Sequence, residues 1–276
     1  MKKLLVVLAA LAVAIFALAG CGGNNQAANN TKVLKVGATS VPHAEILEQI
    51  KDDLKKDGIE LQIVEFSDYV QPNLATNDKE LDANYFQHQP YLDDFVKEHP
   101  EVKLVSAGGI HIEPMGVYSK KVKDLKELAD GATVAIPNDP TNGGRSLLLL
   151  AKAGLITLKD GVGITATVQD IAANPKNLKF QELEAAQVPR TLDDVDAAVI
   201  NSNFAMQVQL NPTKDTLFQE GAESPYVNIV AVRAGDENRP EIQALIKALK
   251  SEKVKKFIEE QYKGAVVATF WFSINN

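Results

Sequence analysis

The residues whose types and spacing suggest chemistry fall into four short clusters. The first is Pro137-Asn138-Asp139-Pro140-Thr141-Asn142-Gly143-Gly144-Arg145-Ser146, which follows an apolar run and leads into Leu147 to Leu150. Asp139 suits a helix N-cap and Pro140 the first helical position. Gly143 and Gly144 allow close approach to the first helical turn, whose free N–H groups attract anions. Arg145 can add a bidentate clamp on a carboxylate. Together these suit the carboxylate of an amino acid; the alternative is an ordinary turn with a surface arginine. The Gly-Lys-Ser/Thr ending of a phosphate-binding loop is absent.

The second cluster is Asp82-Ala83-Asn84-Tyr85-Phe86-Gln87-His88-Gln89-Pro90-Tyr91, at the expected end of a strand and start of a helix. Phe86 and His88 share a strand face if the strand continues. They can wall an apolar side-chain pocket, with the imidazole also able to hydrogen-bond. Core aromatics with a packed or solvated histidine are the competing explanation, and Tyr69 in the run FSDYVQPN has the same two explanations. The third and fourth clusters are Val199-Ile200-Asn201-Ser202-Asn203 and Pro225-Tyr226-Val227-Asn228. Asparagine offers neutral donors and acceptors suited to an ammonium, although asparagine after a strand is also a common turn residue.

Catalytic patterns are weak. The histidines are His43, His88, His99 and His111, with no His-Glu-x-x-His spacing and no Gly-x-Ser-x-Gly elbow. His43, His88, His111 and Glu113 can meet around a metal only by three-dimensional accident, so no metal and no cofactor are expected. The pairs Asp52-Asp53, Asp93-Asp94 and Asp193-Asp194 read as solvated charges.

Strand and helix patterns alternate from residue 32, which predicts an α/β layer fold with a mostly parallel sheet. Strands are expected at 33–39, 60–66, 81–86 and 102–107, with helices over 46–54, 69–77 and 90–99. The run IHIEPMGVYS at 110–119 is broken by Pro114 and Gly116 and can cross between domains. A second series follows: a strand at 133–137, a helix at 140–153 closed by Gly154, strands at 180–183 and 197–201, and a helix at 202–210. A long strand at 224–235 and two helices complete the chain. The helices carry Ile242, Leu245, Ile246 and Leu249, then Val254, Phe257, Ile258 and Tyr262, with Ser251 as cap of the second. No tandem repeat is present. The expected division is lobe I at 32–112 plus 226–270 and lobe II at 113–225, joined by two crossings around a cleft. The alternative is a single doubly wound domain.

The N-terminus reads as an address. Lys2 and Lys3 precede an apolar run of 16 residues from Leu4 to Ala19, then Leu18-Ala19-Gly20-Cys21. The run is short for a membrane span of about 20 residues and suits a signal peptide over 1–20. Cys21 fits a bacterial lipobox, in which the thiol is lipidated, and the polar run from 22 to 31 fits a tether; an uncleaved anchor helix is the alternative. Cys21 is the single cysteine, so no intramolecular disulfide forms. Losing residues 1–20 removes two lysines and shifts the net charge from −7 to −9. An acidic chain without a basic block disfavours nucleic acid as a partner.

The segments LAGC, VGATSVPHAEIL, FSDYVQPN, DANYFQHQPYL, NDPTNGGRSLLLL, GLITLKDG, NPKNLKF, AVIN and ESPYVN occur in that order. By these the chain resembles the NlpA/MetQ-type methionine-binding lipoproteins of bacterial ABC transporters, from the lipobox to Phe270. The resemblance implies a two-lobed periplasmic-binding fold (type II-like) with the ligand cleft between the lobes. It implies capture of L-methionine, with D-methionine as the variant, and delivery to an ABC permease and its ATPase. The protein would be lipid-anchored on the extracytoplasmic face of the bacterial cell membrane. The resemblance places Tyr69, Phe86 and His88 around the side chain, Arg145 with Asn142 at the carboxylate, and Asn201 and Asn228 on polar groups. A methionine-containing dipeptide or another apolar amino acid is the alternative ligand. An extracytoplasmic enzyme on the same scaffold, or an adhesin with an empty cleft, are further readings. The resemblance does not account for the tail at 271–276.

Overall fold

In the computed structural model, residues 31–221 and 224–270 are described. The expected signal segment, Cys21 with its tether, and the 271–276 tail lie outside them. The chain forms two separate main sheets. The first uses β1 (Lys32–Thr39), β2 (Ile59–Phe66), β3 (Ala83–His88) and β4 (Leu104–Ile112). The second uses β5 (Gly116–Tyr118), β6 (Thr133–Pro137), β9 (Lys179–Leu183), β10 (Ala197–Ile200) and β11 (Phe218–Gln219), while β7 (Thr157–Leu158) and β8 (Ile171–Ala173) form a small side hairpin. β12 (Val227–Arg233) and β13 (Val267–Ala268) return to the first sheet, giving orders β13-β4-β12-β3-β1-β2 and β11-β5-β10-β6-β9.

The sheets are mixed, which corrects the expectation of mostly parallel pairing. β1 pairs parallel with β2 and β3, and β6 with β9 and β10. β12 runs antiparallel between β3 and β4, and β5 antiparallel to β10. The cause is the two crossings. A strand that arrives from the other sheet enters from the opposite end, so it cannot follow the right-handed parallel crossover of a β–helix–β unit.

Apolar residues cover both faces of both sheets in four clusters. The largest packs Leu34, Val36 and Tyr85 against Ile46, Leu245, Val254 and Ile258. On the opposite face Phe86, Tyr91 and Phe95 pack with Ile229. In the second sheet Val134 and Ile136 pack with Leu147 and Leu150, and Ala135, Ala198 and Ile200 with Phe204. Tyr69 packs against one cluster of each sheet. β3 is buried along its whole length, as a central strand must be, and β2 at the edge alternates with charged residues.

Local signals hold at helix ends. The Asp139 side chain caps helix Pro140–Lys152 and the Ser251 side chain caps helix Glu252–Tyr262. Gly58 and Gly154 have φ of +74° and +77°, the left-handed conformation that ends a helix. Strand ends shifted: β3 begins two residues later than expected and runs through His88, and β4 continues to Ile112. Both extensions are paired by β12, a contact invisible in local pattern. Among the described residues no helix is long and apolar enough to cross a membrane.

Gly144 is a packing device. A Cβ there would lie 2.2 Å from the Ile164 carbonyl oxygen and 2.7 Å from the Ala166 nitrogen. Both obstacles are backbone, so relief requires moving a chain segment. Gly144→Ala should lower the unfolding free energy by about 1–3 kcal/mol in urea denaturation. Gly163→Ala, which meets nothing within 4 Å, should stay within about 0.5 kcal/mol of the parent.

Candidate functional site

The chain leaves the first sheet at Ile112 and enters the second at Gly116, then returns between Gln219 and Val227. Beside these crossings lies a small pocket with about 330 Å³ of empty space, counted with adjoining solvent. Tyr69, Phe86, His88, Asn142, Arg145, Asn201 and Asn228 all line it. So do Gln87, Tyr91, Glu113, Ser202 and Asn203, which the sequence did not single out as ligand contacts.

One end is aromatic. Tyr69 stands 5.6 Å from Phe86, 5.7 Å from Tyr91 and 4.8 Å from Phe204, centroid to centroid. His88 joins this wall as a ring. Its Nε2 is 3.0 Å from Asn142 Oδ1, and its Nδ1 accepts from the Tyr91 backbone N–H at 3.1 Å. Both ring nitrogens are therefore paired within the protein. Burial, with Arg145 nearby, lowers its pKa to about 3, so the ring is neutral.

The other end is polar. Arg145 is only 3% exposed. Its Nε and Nη2 fork Glu220 at 2.8 and 2.5 Å, and Nη2 also donates to the Glu113 carbonyl at 2.8 Å. Tyr226 lies under the guanidinium at 4.1 Å. The fork is on Glu220, and Nη1 is the nitrogen these contacts leave. One of the first-turn N–H groups is capped within the protein. The Asn142 N–H donates to the Asp139 carboxylate at 2.9 Å, and the two glycines serve helix packing, since a Cβ at Gly143 would lie 2.9 Å from the Pro137 carbonyl oxygen.

The asparagines divide into supports and contacts. Asn142 donates to Asp139 and accepts from Asn201 Nδ2 at 2.8 Å and from His88, so its amide is fully used. Asn201 Oδ1 and Asn203 Nδ2 are buried with no partner among the described residues. An unpaired buried polar atom costs about 1–3 kcal/mol, and both residues line the cavity. Asn203 Oδ1 accepts from the Tyr69 hydroxyl at 2.6 Å, which fixes the amide's direction. Asn228 Oδ1 lies 3.0 Å from His43 Nε2, leaving its Nδ2 for the cavity. Glu113 is the one carboxylate in the lining. The cavity therefore offers acceptors at Glu113 and Asn201, donors at Arg145, Asn203 and Asn228, and an aromatic end.

Of the four residues that could have met at a metal, His43, His111 and Glu113 do come together, with ligand atoms within 4.8 Å of one another. That donor set suits a transition metal, but its contacts of 2.8 and 3.2 Å to Glu113 are hydrogen-bond distances. His88 lies apart from this group, bonded to Asn142.

The two-sheet mixed α/β fold, with a polar-and-aromatic cavity at the crossings, is that of the periplasmic substrate-binding proteins of ABC transporters. A solved protein of that description from Coxiella burnetii matches with a TM-score of 0.82 at 44% identity, covering 86% of this chain and all of the other. The chain belongs to the NlpA lipoprotein family, whose model matches residues 34–270. It is 46% identical to the methionine-binding lipoprotein MetQ of Bacillus subtilis over 97% of this chain and 98% of that one. It is also similar to a nutrient-binding protein of Burkholderia cenocepacia solved with methionine bound. That match has a TM-score of 0.83 and 52% identity, covering 86% of this chain and all of the other. The family is one of binding proteins, not enzymes.

His43, His88 and His111 are each at most 5% exposed. Burial holds the first to a pKa of about 4 and the other two to about 3, against 6.5 in the unfolded chain. Below pH 6.5 the unfolded state binds more protons. The stability due to neutral burial is complete above 6.5 and is lost as the pH falls towards 3. Urea unfolding between pH 6.5 and 4 should show this loss. His111→Gln should make the fall shallower by one proton, about 1.4 kcal/mol per pH unit.

Proposed function

We propose that the chain is a lipid-anchored, extracytoplasmic binding protein that captures methionine between two lobes, 32–112 with 226–270 and 113–225, and delivers it to an ABC permease and its ATPase. The observation that carries this reading is the polarity of the cavity. An α-amino acid has an ammonium and a carboxylate on one carbon. Glu113 with Asn201 Oδ1 answers the first, and Arg145 Nη1 with the amide N–H groups of Asn203 and Asn228 answers the second. Both charges are taken out of water, so each needs a charged or hydrogen-bonded partner. A flexible thioether suits the Tyr69, Phe86, Tyr91 and His88 wall, because sulfur packs well against aromatic rings. Family membership supports Cys21 as the lipidated residue.

A second cavity of about 930 Å³, counted with adjoining solvent, shares Tyr69 and Tyr91 with the first.

In calorimetry the full chain, freed of ligand, should bind L-methionine with a submicromolar Kd, on the order of −8 kcal/mol or better. Arg145→Ala and Glu113→Gln should each weaken it at least tenfold, whereas the exposed Lys256→Ala should leave it unchanged. Absence of binding by L-methionine, D-methionine and a panel of free amino acids would sink the assignment. Mass spectrometry of the copurifying ligand decides between methionine and its alternatives.

A further inference from the structure

Behind the polar end of the cavity lies a closed set of side chains. Thr39 Oγ1 is 2.7 Å from His43 Nδ1. His43 Nε2 is 3.0 Å from Asn228 Oδ1 and 3.2 Å from Glu113 Oε1. From the other side the Tyr85 hydroxyl is 2.5 Å from His111 Nδ1, and His111 Nε2 is 2.8 Å from the same Glu113 oxygen. Thr39, Tyr85 and His111 are 0% exposed and His43 is 1%. Only Glu113 and Asn228 of this set also line the cavity.

The protons can be placed by counting donors. A buried hydroxyl hydrogen needs an acceptor. Tyr85 has His111 Nδ1 as its partner, so the hydroxyl donates and Nδ1 accepts. A neutral imidazole carries one N–H; in His111 it is on Nε2 and points at Glu113. His43 Nε2 faces two acceptors, Asn228 Oδ1 and Glu113 Oε1, so it carries the ring's proton, and Nδ1 accepts from Thr39. Neutral rings agree with the burial that holds both below the ordinary histidine range. They agree also with Tyr85 being held protonated by its burial.

We propose that His43 and His111 are positioning residues for recognition of the ligand, two neutral imidazoles: the His111 Nε2–H holds the Glu113 carboxylate on the cavity for the ammonium, and the His43 Nε2–H turns the Asn228 amide so that its Nδ2 faces the ligand. This rests on the assignment of Glu113 to the α-ammonium. Burial alone pushes the Glu113 carboxyl up, and a neutral acid is a poor partner for an ammonium. The His111 Nε2–H and the Asn203 backbone N–H both donate to the Glu113 carboxylate, and such donors favour the charged form. Thr39 and Tyr85 act one step further back: their hydroxyls decide which ring nitrogen keeps the proton. The remote hydrogen bond sets the tautomer of the near nitrogen, as it does for histidines that bind metals.

The test pairs variants with two ligands, L-methionine and 4-(methylthio)butanoic acid, in which hydrogen replaces the ammonium. Tyr85→Phe removes one oxygen that touches no part of the cavity. It should weaken L-methionine about tenfold and the des-amino acid less than threefold. His111→Leu, which leaves the His43–Asn228 contact in place, should behave in the same way but more strongly, and His111→Gln, which keeps an N–H donor, should recover part of the loss. Equal losses for both ligands, or an unchanged Kd for L-methionine, overturn the positioning role while leaving the binding function standing. Failure of the unaltered chain to bind L-methionine overturns both. A readout free of any folding defect is nitrogen NMR of the unaltered chain. His43 and His111 should both appear as neutral Nε2–H tautomers from pH 5 to 8, and an Nδ1–H tautomer or an imidazolium at either position overturns the proposal.

Discussion

The guanidinium of Arg145 touches both segments that connect the two sheets, and the site is organised around that contact. Its Nη2 holds the Glu113 carbonyl on the outward crossing. Its fork holds Glu220, and its face covers Tyr226, both on the return crossing. A buried guanidinium must satisfy its donors or lose several kcal/mol. The helix Pro140–Lys152 is therefore tied to both crossings by one residue, and Glu220 also accepts the Met115 N–H at 2.9 Å, which fixes the loop beside it. Arg145 is held at its Nε and Nη2 edge by these contacts. It is a fixed charge with one edge left over, and preorganisation of this kind lowers the ordering cost of binding.

Glu113 is the complementary fixed point. Its carbonyl is held by Arg145 from helix Pro140–Lys152 beside the second sheet, and its carboxylate by His111 of the first sheet, with His43 Nε2 3.2 Å away. One residue thus meets both sheets where the chain passes between them. The remaining polar groups are mostly amides, and neutral groups suit such a site. Every extra buried charge would need its own counter-ion, whereas Asn142 satisfies Asp139, His88 and Asn201 without one. Neutral histidines follow the same logic, since a protonated ring beside Arg145 would add a repulsion.

Much of this was legible in the sequence wherever the physics is local. Caps at Asp139 and Ser251, stops at Gly58 and Gly154, and apolar periods placed most helices within a few residues. The motif runs, read with the family resemblance, gathered seven residues that do line one cavity. Roles within that cavity were less legible. His88 and Asn142 were expected to contact ligand, and their polar atoms are used on each other. Arg145 was expected to grip a carboxylate with its fork, which Glu220 occupies from 75 positions away. Asn203 was noted in a candidate cluster and Glu113 only in a possible metal set, and neither was assigned a ligand contact. Nothing in their spacing marks them, because their importance lies in partners brought by other strands.

The sequence by itself determined which segments are helices and strands, the expectation of a lipobox at Cys21, and membership of a family, since each depends on neighbours along the chain. Tertiary structure decided the mixed pairing of the sheets, the tautomers of His43 and His111, and which end of each asparagine faces the cavity. Those are settled by where the proton of a distant hydroxyl or amide must go when no water is present to take it. A one-dimensional pattern holds the residue types, and only the folded chain supplies their hydrogen-bond partners.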